Sequence, residues 1–298
     1  MKINNKTKGI ICILAAAFGF SMMSVFVRLA GDLPAFQKAF FRNIIALIFM
    51  TAVLIRKRSG FLPKKGNGLL LFARSFFGTV GIICNFYAID RLVLADANML
   101  NKLSPFFAII FSAVLLKEKP DIVQISGVTA AFAGMLMIVK PGITGMAFLP
   151  AAVGALGGAG AGTAYTFVRR LGSRHEDGTK IIFWFSAFST AVCLCFMLIP
   201  GNFEPMTARQ LIFLCLAGLS ACLGQFGITN AYIFAPAKEI SVYDYTQVVF
   251  AALFGFILFG QIPDLLSIAG YILICGAGVY MFFHNRKRTR SIIQKRRF

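Results

Sequence analysis

Ten stretches of mostly apolar residues divide this 298-residue chain. They run over about 8–30, 34–55, 69–89, 93–116, 121–139, 146–168, 180–199, 209–233, 239–259 and 264–283. Each is close to the ~20 residues that a helix needs to cross ~30 Å of hydrocarbon. The runs are continuous and lack period-two alternation, so helices are expected and barrel strands are not. Hydrophobic residues make up 58% of the chain and charged residues 14%, against about 25% charged in ordinary soluble domains. A soluble globular enzyme could not cover so much apolar surface. The expected fold is an all-α integral membrane protein of ten transmembrane helices joined by short loops, with no room for a separate soluble domain.

The net charge of +19 comes from 30 Lys and Arg against 11 Asp and Glu. With the N-terminus placed in the cytoplasm, twenty-two of the 30 basic residues fall in inner loops and tails. Only Arg91, Lys140 and Arg209 fall in outer loops, and Arg28, Lys38, Arg42, Arg74 and Lys102 lie within spans. This asymmetry follows the positive-inside rule and puts both termini in the cytoplasm. Charge spread over loops by topology is not the one-faced patch of a nucleic-acid binder, and no nucleic-acid partner is expected. The run from Arg286 to Arg297 reads first as a topology anchor, with contact to anionic lipid as the alternative. The first apolar run, Ile10–Ala30, exceeds the ~7–15-residue core of a signal peptide and reads as an uncleaved span. Seven cysteines, all inside spans, read as small buried residues. No His/Cys cluster at ligand spacing is present, so no metal and no cofactor are expected.

The two halves of the chain resemble each other. A shift of about 143 residues lays Ala88–Val139 over Ala231–Phe282, pairing Phe107 with Phe250, Leu115 with Leu258, Pro120-Asp121 with Pro263-Asp264, and Gly127 with Gly270. The chain divides into a first five-span repeat at 1–140, a second at 141–284, and a basic cytoplasmic tail at 285–298. An odd number of spans per repeat inverts the second half relative to the first. The loops agree: the charged Leu116-Lys117-Glu118-Lys119-Pro120 corresponds to the uncharged Phe259-Gly260-Gln261-Ile262-Pro263. Inverted repeats characterise secondary transporters, where rocking about a midplane site gives alternating access.

Ten spans in two inverted halves resemble the drug/metabolite transporter superfamily, and within it the EamA-domain family. The residues that carry the resemblance are Ala39-Phe40-Phe41-Arg42, Lys102-Leu103-Ser104-Pro105 with Leu115-Leu116-Lys117-Glu118, and Tyr245-Thr246-Gln247 through Gln261-Ile262-Pro263. The resemblance implies a multi-pass protein of the bacterial inner membrane. It also implies transport of amino acids, nucleotide-like metabolites, vitamins or drugs, by proton-coupled export or by exchange. Family members usually carry Glu where this chain has Gln261. The partners so implied are membrane lipids, a small-molecule substrate and protons; a homodimer is left open.

Ionisable groups inside spans are costly and therefore candidates for function. Asn98, Asn101, Lys102 and Pro105 recur at i, i+3, i+4 and i+7, one face of a helix. Ser241, Asp244 and Tyr245 occupy the equivalent positions in the second repeat. Lys102 lies ~13 Å from the outer end of its span at helical rise, and Asp244 ~8 Å from the inner end. Lys102 lines a cavity, forms an interhelical salt bridge or snorkels. Pro105 is a hinge or a plain kink. Arg42 could grip a carboxylate or phosphate, with Lys38 one turn nearer the surface; one of the two could instead pair with Asp90 or Asp96. Asp244 could bind a substrate amine, carry a proton, or sit in a structural pair. Gln225, Thr229 and Asn230, with Asn85, offer neutral hydrogen-bonding groups. Arg28 and Arg74 read as snorkelling residues near span ends. The glycine-rich sixth span reads as helix packing. Tyr165, Phe183, Trp184, Tyr87 and Tyr243 could line a cavity for a ring-bearing solute.

The expected function is a secondary transporter for a small zwitterionic or anionic metabolite, such as an amino acid. Lys102 and Arg42 would hold its anionic group, and Asp244 its amine or a coupling proton. The alternatives are a multidrug exporter and a nucleotide-like metabolite carrier of the S-adenosylmethionine type. A membrane enzyme would need a nucleophile or acid/base cluster that the sequence lacks, and a channel would need rings of charge. Cysteines introduced at Lys57 and Arg288 are expected to react with a membrane-impermeant thiol reagent from the same side, the cytoplasm. Labelling from opposite faces would overturn the topology.

Overall fold

The computed structural model describes residues 5–115, 120–140, 148–234 and 241–295. The expectations placed on Lys117, Glu118, Lys119, Lys238 and the side chains beyond His284 lie outside the described residues, as do the side chains of Thr229 and Ser241. Backbone groups in lipid must bond within their own segment, which selects helices. Among the described residues no strand occurs. The helices are α1 (Asn5–Leu29), α2 (Ala35–Arg56), α3 (Gly68–Arg91), α4 (Leu94–Asn101), α5 (Ser104–Leu115), α6 (Ile122–Val139), α7 (Phe148–Ser173), α8 (Gly178–Met197), α9 (Ala208–Phe234), α10 (Thr246–Phe259) and α11 (Leu265–Lys295), with a 3₁₀ turn over Ser241–Tyr245. Among the described residues eight stretches are long and apolar enough to cross a membrane, with Leu94–Leu115 taken as one stretch. The apolar helix Tyr243–Phe259 is shorter, and α7, 26 residues long, is rich in glycine.

Two boundaries differ from the sequence expectation. The fourth span is not one helix: it breaks at Lys102–Leu103, between α4 and α5. The Leu103 amide turns back to Leu100, three residues away, which tightens the last turn of α4. Pro105 has no amide to offer the Asn101 carbonyl, and it sits in the first turn of α5, where a proline is tolerated. The stripe from Asn98 to Pro105 is therefore split between two helices. The second difference lies at the basic tail, whose described part continues α11 to Lys295.

The shared punctuation of the two repeats has a structural cause. Asp121 caps α6, accepting from the Gln124 amide at 2.8 Å, while the Gln124 side chain accepts from the Asp121 amide at 3.0 Å. Asp264 caps α11 in the same way, accepting from the Ser267 amide at 3.0 Å. Each satisfies amide groups that the helix itself leaves free.

Packing is also repeated. The most extensive pairings are α1 on α9 and α3 on α7, followed by α2 on α8 and α6 on α11. If α1, α2, α3 and α6 correspond to α7, α8, α9 and α11, the first two interfaces exchange and the other two map onto themselves. Bare backbone makes these approaches close. A Cβ on Gly19 would fall 2.8 Å from the Gly224 amide nitrogen; on Gly227, 2.7 Å from the Cys12 carbonyl; on Gly81, 3.0 Å from the Ala161 amide; and on Gly270, 2.7 Å from the Gly134 carbonyl. Small residues at helix contacts let dispersion act where lipid removes the hydrophobic drive between helices. Large apolar side chains such as Ile272, Val249 and Ile122 point outward instead.

The loop before α3 is clasped to the loop between α7 and α8. The Lys64 amide and the Asn67 side chain both donate to Glu176, at 3.0 and 2.7 Å, Arg174 donates to the Gly66 carbonyl at 3.0 Å, and the Trp184 indole donates to Phe61 at 3.0 Å. Burial pushes the Glu176 carboxyl up, but the bonds from Asn67, Lys64 and the Asp177 amide, with the Lys180 charge, outweigh it and hold its pKa below the ordinary glutamate value.

Two measurements follow from this packing. Gly19→Ala is expected to lower stability by about 1–3 kcal/mol through overpacking against backbone, whereas Gly276→Ala, which meets nothing within 4 Å, is expected to leave it nearly unchanged; thermal unfolding in detergent compares them. Because Glu176 has a depressed pKa in the folded state, its contribution is fully present above the unfolded value of about 4.5 and disappears as pH falls through the folded one. The stability gap between the native chain and Glu176→Gln should therefore be largest near neutrality and close on acidification.

Candidate functional site

The helix break in the first repeat and the 3₁₀ turn in the second lie at equivalent positions, and they meet in the interior. The Lys102 ammonium donates to Asp244 Oδ2 at 2.5 Å. Lys102 caps α4 with its backbone still near helical, and Asp244 sits in the turn before α10. Irregular backbone at membrane depth is tolerated where protein buries it or where it lines a cavity. Here α4 is buried along its length from Leu94 to Leu100, packed against α7 and α10. The second carboxylate oxygen, Asp244 Oδ1, is buried without a hydrogen-bond partner. The salt bridge expected as one reading of Lys102 is present, and its partner is the acid on which the second polar stripe centres.

Asn98 is bound into a different arrangement. Its carbonyl oxygen accepts from Ser24 at 3.2 Å and from Gln247 at 2.8 Å, and its amide donates to the Leu94 carbonyl at 2.8 Å. Ser21 donates to the Gln247 carbonyl at 2.8 Å. This knot ties α1, α4 and α10 together one turn away from the Lys102–Asp244 pair. Asn101 is half-buried at the end of α4, Tyr245 is half-buried against α11, and Gln225 is half-buried on α9. Asn230 turns to its own helix, donating to the Phe226 carbonyl at 2.9 Å.

At the other end of the bundle the interior cations are matched. Lys38 pairs with Asp90 at 2.6 Å, which assigns one of the pairings left open by the sequence. Lys140 pairs with Asp264, and Asp96 accepts from the Tyr271 hydroxyl at 2.5 Å. Arg28 does not simply snorkel: it donates to Gln261 at 2.6 Å and to the Leu92 carbonyl. The Gln261 oxygen also accepts from the Leu94 amide at 3.0 Å. Gln261 thus joins α1 to the start of α4 with a neutral amide.

Arg42 differs from these cations. It is 4% exposed, and the hydrogen bond its guanidinium makes is to Asn43, at 2.7 Å. Asn43 is itself anchored to Ser189 on α8 at 2.8 Å. The Arg42 Nε has no partner, and no carboxylate among the described residues forms an ion pair with it. Its charge rests over the ring of Phe185, 5.7 Å from the centroid. Tyr165 is 53% exposed although it interacts electrostatically with the interior groups Arg42, Arg74 and Asp244.

Sequence reasoning missed Arg74. It is not at a span boundary but 8% exposed, with its guanidinium carbon 3.9 Å from the Phe185 centroid. The signal that could have found it is Gly78, one turn further along α3. A Cβ there would lie 2.7 Å from Arg74 Nη1 and 2.9 Å from Phe185.

The EamA-like transporter family matches residues 7–140 and again 149–283. The pseudopaline exporter CntI of Pseudomonas aeruginosa is 35% identical over 267 residues, which span 89% of this chain and 93% of that protein. Solute carrier family 35 member G1 of Homo sapiens is 26% identical, over 91% of this chain and 78% of its own length. A riboflavin transporter of Brucella anthropi is 24% identical, over 93% and 99%. A solved crystal structure with 16% sequence identity superposes with a TM-score of 0.65, over 94% of this chain and 98% of that one, and so has the same fold. These relatives are carriers and not enzymes, and the chain belongs to the EamA-like transporter family of the drug/metabolite transporter superfamily.

Proposed function

We propose that this protein is a secondary transporter that moves a small zwitterionic or anionic metabolite, amino-acid-like in chemistry, across the bacterial inner membrane by alternating access. The observation that carries the reading is the part-buried Lys102–Asp244 pair at 2.5 Å, formed where both repeats interrupt their helices, with Arg42 buried and without an ion-pair partner among the described residues. Discontinuous helices at a repeat interface are where transporters of inverted-repeat design place substrate and coupling ions. The ten-crossing topology, with both termini in the cytoplasm and the halves inverted, belongs to this reading. It is supported by the loop charges and by the exchange of helix pairings between the halves.

The chemistry follows from the charges. A carboxylate entering the bundle meets Arg42, a cation without a counter-ion among the described residues. A substrate amine competes with Lys102 for Asp244. Protonation of Asp244 would release Lys102 and weaken the bond between α4 and the turn before α10, which gives a proton a way to bias the two halves. Export is the favoured direction because relatives that share 35% of residues are named as exporters.

Counterflow of radiolabelled amino acids and amino dicarboxylates into proteoliposomes tests the reading. Saturable exchange is expected, and single-channel current without saturation would overturn it. Asp244→Asn is expected to abolish drive by a pH gradient, and Lys102→Ala, which leaves a buried acid unpaired, to reduce exchange at least tenfold. Wild-type exchange and pH dependence in both variants would remove these residues from the mechanism.

A further inference from the structure

Within the proposed transport reading, one feature of the interior narrows the substrate. The cations Lys38, Lys102 and Lys140 each have an aspartate. Arg42 and Arg74 have none among the described residues, although both are more than nine-tenths buried. Arg42 Nε, Arg74 Nε and Arg74 Nη1 are buried donors with no hydrogen-bond partner. The two guanidinium groups also repel each other. Two like charges held close together out of water, with no acid among the described residues, are costly unless an anion neutralises them.

The geometry says what that is. Both guanidinium carbons lie over one ring, at 5.7 Å for Arg42 and 3.9 Å for Arg74 from the Phe185 centroid. They come from different helices, α2 and α3, and Phe185 from a third, α8. Gly78 leaves the room that lets Arg74 and the ring stack. The cations are thus gathered on one apolar ring, each carried by its own helix. A compact tetrahedral dianion would need both forks to converge on one point. Two carboxylates joined by a short carbon chain need two separate forks, with an apolar surface between them for the chain.

We propose that Arg42 and Arg74 form a two-point clamp on Phe185 for a substrate carrying at least two carboxylates. Tyr165 interacts with both arginines and with Asp244, and the Lys102–Asp244 pair is neutral as a unit. The clamp contributes two positive charges with no counter-ion among the described residues, and a substrate that cancels both is favoured, so the carrier discriminates by carboxylate count.

Thermal unfolding of the purified full chain in detergent tests this, with butyrate, glutarate, citrate and inorganic phosphate as probes at matched ionic strength. Glutarate and citrate are expected to raise Tm by about twice as much as butyrate at the same concentration, since stabilisation follows the logarithm of ligand over Kd. Arg74→Gln is expected to erase that excess while keeping the butyrate response, and Arg74→Lys to restore part of it. An unchanged excess in Arg74→Gln, including one seen beside a lowered baseline Tm, would assign Arg74 a structural role and overturn the clamp. So would no excess in the native chain, or a larger response to phosphate than to glutarate. The clamp and the transport reading fail separately. A carboxylate-count response without counterflow of any carboxylate keeps the clamp and removes transport, while saturable counterflow without that response does the reverse.

Discussion

The interior of a bilayer offers no water, so every backbone amide and every charge in this chain must find its partner inside the protein. The rest of the structure follows from that constraint. Eleven helices among the described residues satisfy their own amides, and aspartates at 121 and 264 cap two of those that a helix cannot bond itself. The two places where regular structure gives way, Lys102–Leu103 and Ser241–Tyr245, lie inside the bundle and are joined by an ion pair rather than exposed to lipid.

The same constraint explains how the helices hold together. Apolar side chains gain little by leaving lipid for one another, so the helix contacts rely on backbone approach. Gly19 against Gly224, Gly81 against Gly160, and Gly134 against Gly270 each bring two main chains to within a methyl group of touching. Close contact of bare backbone also has few interlocking side chains, which suits helices that must shift against one another. The glycines of α7 serve this packing, against α3, α4 and α5.

Against so complete a pairing of charges, Arg42 and Arg74 stand out. The described residues supply Asp90 to Lys38 and Asp264 to Lys140 but no acid here. In the proposed clamp, the arginine charge makes the empty site unfavourable and the occupied one favourable. A carrier needs such a difference between its loaded and unloaded forms, because a ligand shifts a conformational equilibrium only by its differential affinity.

The sequence by itself determined the membrane character, the position of nearly every described helix and the short set of interior ions, because apolar length and charge placement are local properties. It also brought Lys102, Asp244 and Arg42 forward as residues in the wrong solvent. Tertiary structure decided the pairings. Lys102 and Asp244 are 142 residues apart, and nothing local says that they touch. The split of the fourth span was readable only in part, since Pro105 marks a break without saying whether the helix kinks or ends. Arg74 was misplaced because distance from a span end measures depth along one helix. Whether a long side chain reaches water or a buried ring depends on what the neighbouring helices leave open, and here Gly78 and Phe185 drew it inward.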